Sequence, residues 1–258
     1  MEKIFETHMH LDDEAFNEDR EKVIENIFDD CIGIGVNIGA SMESTETSVE
    51  LAQKYENVYA AVGVHPNEVA DLTEDDMDRL KELSRLDKVV AIGEIGLEYH
   101  YLEPDKETQR KWFIRQLDLA AELNMPVVIH SRDAAEETFN LMKEYKDRLV
   151  GGVIHCYSYS PELAAEYVKM GYYIGVGGVV TFKNAKKLVE TVKNIPLDNI
   201  VLETDCPYMS PEPFRGKRND PSRLIYVSKK IAEIKGIDDE EVRRVTFENA
   251  CRLYRIKR

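Results

Sequence analysis

Eight short apolar, β-branched runs recur along this chain, and each is followed by a longer amphipathic stretch. The runs occupy residues 4–10, 33–39, 58–64, 89–96, 126–131, 152–157, 172–177 and 200–204. Helical periodicity fills 19–30, 44–55, 75–83, 106–123, 134–145, 161–170 and 185–193, then returns twice after the last run, over 222–235 and 239–254. Such alternation implies a parallel sheet, because parallel neighbours need a long crossover between them. Eight units in 258 residues fit a closed (β/α)8 TIM barrel better than an open doubly wound sheet. The expected architecture is therefore α/β, one barrel domain over 1–258 with an additional C-terminal helix. Neither Gly33-Ile34-Gly35 nor Gly175-Val176-Gly177-Gly178 forms GxGxxG opening a helix, so both read as turns and tight strand packing.

A barrel carries its chemistry at the C-terminal ends of its strands. Five of the six histidines fall there: His8 and His10 on the first strand, His65 after the third, His130 on the fifth and His155 on the sixth. His100 follows the fourth at a few residues' distance. Glu94 interrupts the apolar fourth run, and Asp205 follows the eighth. A single strand histidine usually bonds to backbone, but independent structural residues have no reason to converge on one face. Residues i and i+2 of a strand point to the same side, so His8 and His10 can reach one metal from inside the barrel. Six donors exceed what one tetrahedral ion needs. They suit two divalent cations bridged by a carboxylate and a water.

The formal net charge of −15 argues against a nucleic-acid binder, since phosphate contacts need positive charge. Two divalent cations would reverse the field locally. The acidic stretch 73–78 reads as a solvated helix start. No apolar run approaches the roughly 20 residues of a membrane span. The opening residues lack a secretory apolar stretch, and Cys31, Cys156, Cys206 and Cys251 form no CxxC pair. A cytoplasmic location, without membrane partners, is expected. Cys156 and Cys206 stand beside candidate ligands, and buried packing is the favoured reading of both.

Seven motifs, in order over nearly the whole chain, resemble the TatD family of metal-dependent deoxyribonucleases. They are Glu6-Thr7-His8-Met9-His10-Leu11-Asp12, Gly63-Val64-His65-Pro66, Gly93-Glu94-Ile95-Gly96-Leu97, Ile129-His130-Ser131-Arg132-Asp133-Ala134, His155-Cys156-Tyr157-Ser158, Leu202-Glu203-Thr204-Asp205-Cys206-Pro207-Tyr208 and Arg215-Gly216-Lys217-Arg218-Asn219. The resemblance implies that His8, His10, Glu94 and Asp205 hold one cation and Glu94, His130 and His155 the other. It also implies 3′-to-5′ exonuclease action on single-stranded DNA. The chain departs from the family pattern at Glu6 and Glu98, where Asp is usual, and at Tyr159, where Gly is usual.

On this reading Asp205 and Glu94 are the catalytic carboxylates, with Asp205 orienting or deprotonating the attacking water. The metal stays open among zinc, manganese and magnesium. His65, Arg215 and Lys217 are expected to contact substrate; a capping role for His65 is the competing reading. Lys183, Lys186 and Lys187 are weaker substrate candidates. Tyr99, Tyr101, Tyr157 and Tyr159 are candidates for base stacking. A monomer is expected. The alternatives are a small-molecule amide or ester hydrolase, or a D-aminoacyl-tRNA hydrolase, on the same metals, and a metal-stabilised interaction module without catalysis.

Overall fold

A computed structural model describes residues 2–257. Its strands are β1 (Ile4–Met9), β2 (Ile32–Ile38), β3 (Val58–Val62), β4 (Val89–Glu98), β5 (Val127–Arg132), β6 (Gly152–Ile154), β7 (Tyr172–Val176) and β8 (Ile200–Leu202). They pair in parallel in sequence order. Backbone bonds just past β8 close the ring: Asp205 N donates to His8 O and His10 N to Cys206 O, both at 2.9 Å. The helices are α1 (Arg20–Asp29), α2 (Met42–Lys54), α3 (Glu74–Leu83), α4 (Lys106–Leu123), α5 (Ala135–Glu144), α6 (Pro161–Lys169), α7 (Lys186–Asn194), α8 (Leu224–Lys235) and α9 (Asp239–Tyr254). The sequence expectation of a (β/α)8 barrel with an extra helix holds. The acidic stretch opens α3, where Thr73 and Asp76 form a reciprocal cap. Among the described residues no helix is long and apolar enough to cross a membrane.

The apolar side chains sort into two layers. One cluster takes Phe5, Val36, Ala61, Ala91, Val128, Val153 and Val201, with Tyr173 packed against it. A cluster that draws on every strand can only fill the barrel interior. Phe247, Ala250, Leu253 and Tyr254 of α9 join it, so the extra helix closes this interior. Tyr254 also donates a hydrogen bond to Thr7 O at 2.8 Å. The second, larger cluster lies between the strands and the surrounding helices.

Four strand ends differ from expectation by two residues or more: β3 stops at Val62, short of 64, and the other three shape the site. β6 and β8 stop short of 157 and 204. Cys156 and Asp205 have φ of 44° and 57°, a left-handed conformation that a strand cannot continue through. β4 runs on to Glu98, beyond the expected 96. Gly96 permits this, because a Cβ there would lie 1.9 Å from His130 O. The close approach of β4 to β5 brings Glu98 beside His130.

Candidate active site

The expected ligands converge. His8 Nε2 and His10 Nε2 lie 3.0 Å apart. Glu94 Oε2 stands 3.4 Å from the first and 3.9 Å from the second; Asp205 Oδ1 stands 3.8 and 3.5 Å away. Glu94 Oε1 faces the other way. It lies 2.8 Å from His130 Nδ1, 3.7 Å from His155 Nε2 and 3.9 Å from His65 Nε2. His155 also approaches Asp205 Oδ1, at 3.8 Å. The donor atoms of His8, His10 and Glu94, of His8, His155 and Asp205, and of His65, Glu94 and His130 lie within 4.8 Å of one another in each group.

These distances fit divalent cations. Donors at 2.0–2.1 Å from a tetrahedral ion stand roughly 3.3 Å apart. Two imidazole nitrogens at 3.0 Å can share one hydrogen, or turn both lone pairs to one cation. Around them opens a cleft of about 1100 Å³, lined by seven carboxylates and one guanidinium, that of Arg132. Burial alone would raise the Glu94 carboxyl, yet the imidazoles of His155 and His130 hold it well below the ordinary range. Burial would likewise lower His10 and His155; instead Asp205 brings His10 to about 9, and Glu203 with Glu94 brings His155 to about 10.

Each histidine's second nitrogen indicates its role. His10 Nδ1 bonds Ile38 O at 2.9 Å, and His155 Nδ1 lies 3.2 Å from Glu203 Oε2, so both turn Nε2 to the centre. His130 turns Nδ1 to Glu94 and bonds Glu98 Oε2 through Nε2 at 3.2 Å. His8 Nδ1 is buried without a partner. His65 differs. It is the N-cap of a short 3-10 turn, Pro66–Glu68, and its Nδ1 accepts the Asn67 N–H at 3.1 Å. With Nδ1 accepting, the neutral ring carries its hydrogen on Nε2, which faces Glu94 Oε1. Burial and the neighbouring His130 lower its pKa to about 3, so it stays neutral. The structure shows the capping geometry expected as the competing reading of His65.

A family model described as TatD related DNase matches residues 5–255. The chain belongs to the TatD family. A Bacillus subtilis protein named an uncharacterized metal-dependent hydrolase, YabD, is 46% identical over 253 residues, 98% of this chain and 99% of that protein. The 3′-5′ ssDNA/RNA exonuclease TatD of Shigella flexneri is 32% identical over 258 residues, covering 98% and 99% of the two chains. A crystal structure of the TatD homolog YJJV from Escherichia coli superposes with a TM-score of 0.92 at 30% identity, covering 98% of both chains.

The departures from the TatD pattern have distinct structural roles. Glu6 is fully buried and clasps β1 to the β8 end, accepting from His8 N at 2.9 Å, Thr204 N at 3.0 Å and Thr204 Oγ1 at 2.6 Å. Glu98 holds His130 and also accepts His100 N at 2.9 Å. Tyr159 bonds Ser131 Oγ at 3.0 Å and is half-buried outside the cleft, so it does not narrow it.

The expected substrate contacts divide. Arg215 and Lys217 are exposed but absent from the cleft lining; the Arg215 guanidinium covers the Phe182 ring at 4.3 Å. Arg218 forms a bidentate pair with Asp19, 2.7 Å on each arm. Lys183, Lys186 and Lys187 are also exposed and do not line the cleft, although Leu188 beside them does. Tyr99 turns outward, bonding Glu137 at 2.6 Å, and Tyr157 is buried, whereas Tyr101 lines the cleft exposed. His100 pairs with Asp133 at 3.1 Å, outside the ligand groups. Burial pushes the Cys156 and Cys206 thiols well above their ordinary range, and neither joins a ligand group.

Sequence reasoning gave no role to Glu203 or Arg132, although both lie in the motifs. Glu203 is buried, and its Oε1 accepts Cys156 N at 2.6 Å while Oε2 faces His155. The available signal was a second carboxylate two residues before Asp205 at a buried strand end.

Proposed function

We propose that this chain is a two-metal phosphodiesterase that removes nucleotides from the 3′ end of single-stranded DNA. The observation that carries this reading is the split of Glu94, whose two oxygens face two different imidazole sets. His8, His10, Asp205 and Glu94 Oε2 would hold one divalent cation, and His130, His155 and Glu94 Oε1 the other. Bound there, the pair would polarise a phosphoryl oxygen and lower the pKa of a water between them.

The chain's own groups supply the rest. Asp205 stands at the cleft with one face to the ligands, where its carboxylate can orient the attacking water and accept its proton. His65 Nε2–H can donate to a phosphoryl oxygen as negative charge builds. The exonuclease name of the Shigella flexneri relative supports the substrate class and the polarity. Zinc, manganese and magnesium remain the candidate ions. The proposed ligands all come from one chain, which suits a monomer.

Metal-depleted protein, with and without Mg²⁺, Mn²⁺ or Zn²⁺, should be tested on 5′-labelled single-stranded DNA beside Asp205→Asn. Metal-dependent shortening from the 3′ end, lost in the variant, is expected. Intact DNA with metal-loaded wild-type protein would overturn the nuclease reading. The acidic cleft lining favours a second reading, hydrolysis of a less charged substrate such as an aminoacyl or small-molecule ester, which the same assay on acyl esters addresses. No lysine lines the cleft among the described residues, which disfavours a carboxylated-lysine bridge in place of Glu94.

A further inference from the structure

Arg132 is the one arginine or lysine among the described residues lining the cleft, which it shares with seven carboxylates. It ends β5 two residues after His130, so it rises from the same strand to the mouth. Its side chain is 47% exposed, and its guanidinium makes no hydrogen bond among the described residues. Glu98 Oε2 lies 3.8 Å away, and the Tyr101 ring lies 5.5 Å from its central carbon. These two neighbours flank the fork, and its N–H groups are free to take a ligand.

Tyr101 itself is 53% exposed, and Leu102 beside it is 90% exposed. Of the seven large apolar side chains exposed among the described residues, four are Tyr101, Leu102, Tyr208 and Met209. They form two pairs on the loops that follow β4 and β8, and three of the four line the cleft. An exposed aromatic and aliphatic rim over a polar site suits flat apolar rings arriving from solution.

We propose that Arg132 and Tyr101 form a nucleotide subsite at the mouth of the cleft, Arg132 taking a phosphodiester beside the scissile one and Tyr101 stacking on a base. The proposal rests on the nuclease reading above and deepens it. It explains how a chain of net charge −15 engages a polyanion: one guanidinium at the cleft mouth, and stacking in place of a basic groove. Bidentate geometry favours arginine over lysine at such a position.

The test uses Mn²⁺-loaded protein, a single-stranded oligo(dT), and bis(p-nitrophenyl) phosphate as a diester without neighbouring nucleotides. For Arg132→Ala, kcat/KM on oligo(dT) should fall roughly tenfold further than on the small diester. The slope of log affinity against log salt should drop by about 0.7, one single-strand phosphate contact. Arg132→Lys should restore that slope. Tyr101→Ala should weaken oligo(dT) binding roughly tenfold without changing the slope, and Tyr101→Phe should restore it. An unchanged slope in Arg132→Ala, or equal losses on both substrates, would overturn the subsite while leaving the nuclease intact. Wild-type protein that neither binds nor cleaves oligo(dT) would remove the nuclease reading and the subsite together.

Discussion

Glu203 Oε2 lies 3.2 Å from His155 Nδ1, and the other oxygen of the same carboxylate accepts the Cys156 N–H at 2.6 Å. Glu203 follows β8 and His155 follows β6, so the contact reaches across β7. It can do so because β7 offers Gly175 there; a Cβ on that residue would lie 2.4 Å from Glu203 Oε2. The carboxylate lies on the Nδ1 side of His155, whose Nε2 faces Glu94 and Asp205.

This relationship predicts a loss of metal without a loss of fold. Glu203→Gln should lower affinity for the second divalent ion by about 10–100-fold, the usual cost of removing such an outer partner. Titration calorimetry with Mn²⁺, alongside circular dichroism, measures both. Unchanged affinity would remove Glu203 from the account.

His65 makes the opposite prediction. Acting as a neutral donor, it should matter to turnover and not to metal content. His65→Ala should keep the wild-type metal stoichiometry while kcat on a DNA substrate falls about 10²–10³-fold, as for loss of an oxyanion donor. Elemental analysis of the purified variant beside its kinetics separates the roles. Loss of an ion would make His65 a ligand.

Glu6 predicts a pH dependence of stability. Burial raises its pKa from 4.5 to about 8, against the pull of Thr204 and of the His8 N–H. Between those values the folded metal-free protein keeps a proton that the unfolded chain has lost. Stability therefore falls as pH rises through this window, and the cost, on the order of a few kcal/mol, is complete above pH 8. His10 and His155, also raised, act in the same direction, so the comparison with Glu6→Gln isolates Glu6. Urea unfolding at pH 5.5 and 8.5 should show a smaller drop in the variant; equal drops would contradict the assignment.

Much of this was legible in the sequence, for identifiable reasons. α4 and α9 match their expected bounds because their apolar periodicity ends at clear caps, with Asn124 and Arg255 in left-handed conformations. The six proposed ligands were legible because each interrupts or ends an apolar run. Glu203 was not, since its partner depends on a missing side chain in an intervening strand. Arg215 and Lys217 were drawn to the mouth by their nearness in sequence to Asp205. In the structure Arg218 pairs with Asp19 and Arg215 packs on Phe182, and such tertiary contacts leave no local pattern.

The central claim is that one carboxylate, Glu94, joins two cation sites. Anomalous diffraction from crystals loaded with Mn²⁺ tests it most directly. The account predicts two peaks, one on each side of the Glu94 carboxylate, roughly 3.5–4 Å apart. A single peak held by His8 and His10, with Glu94 Oε1 bonded only to His130, would contradict it.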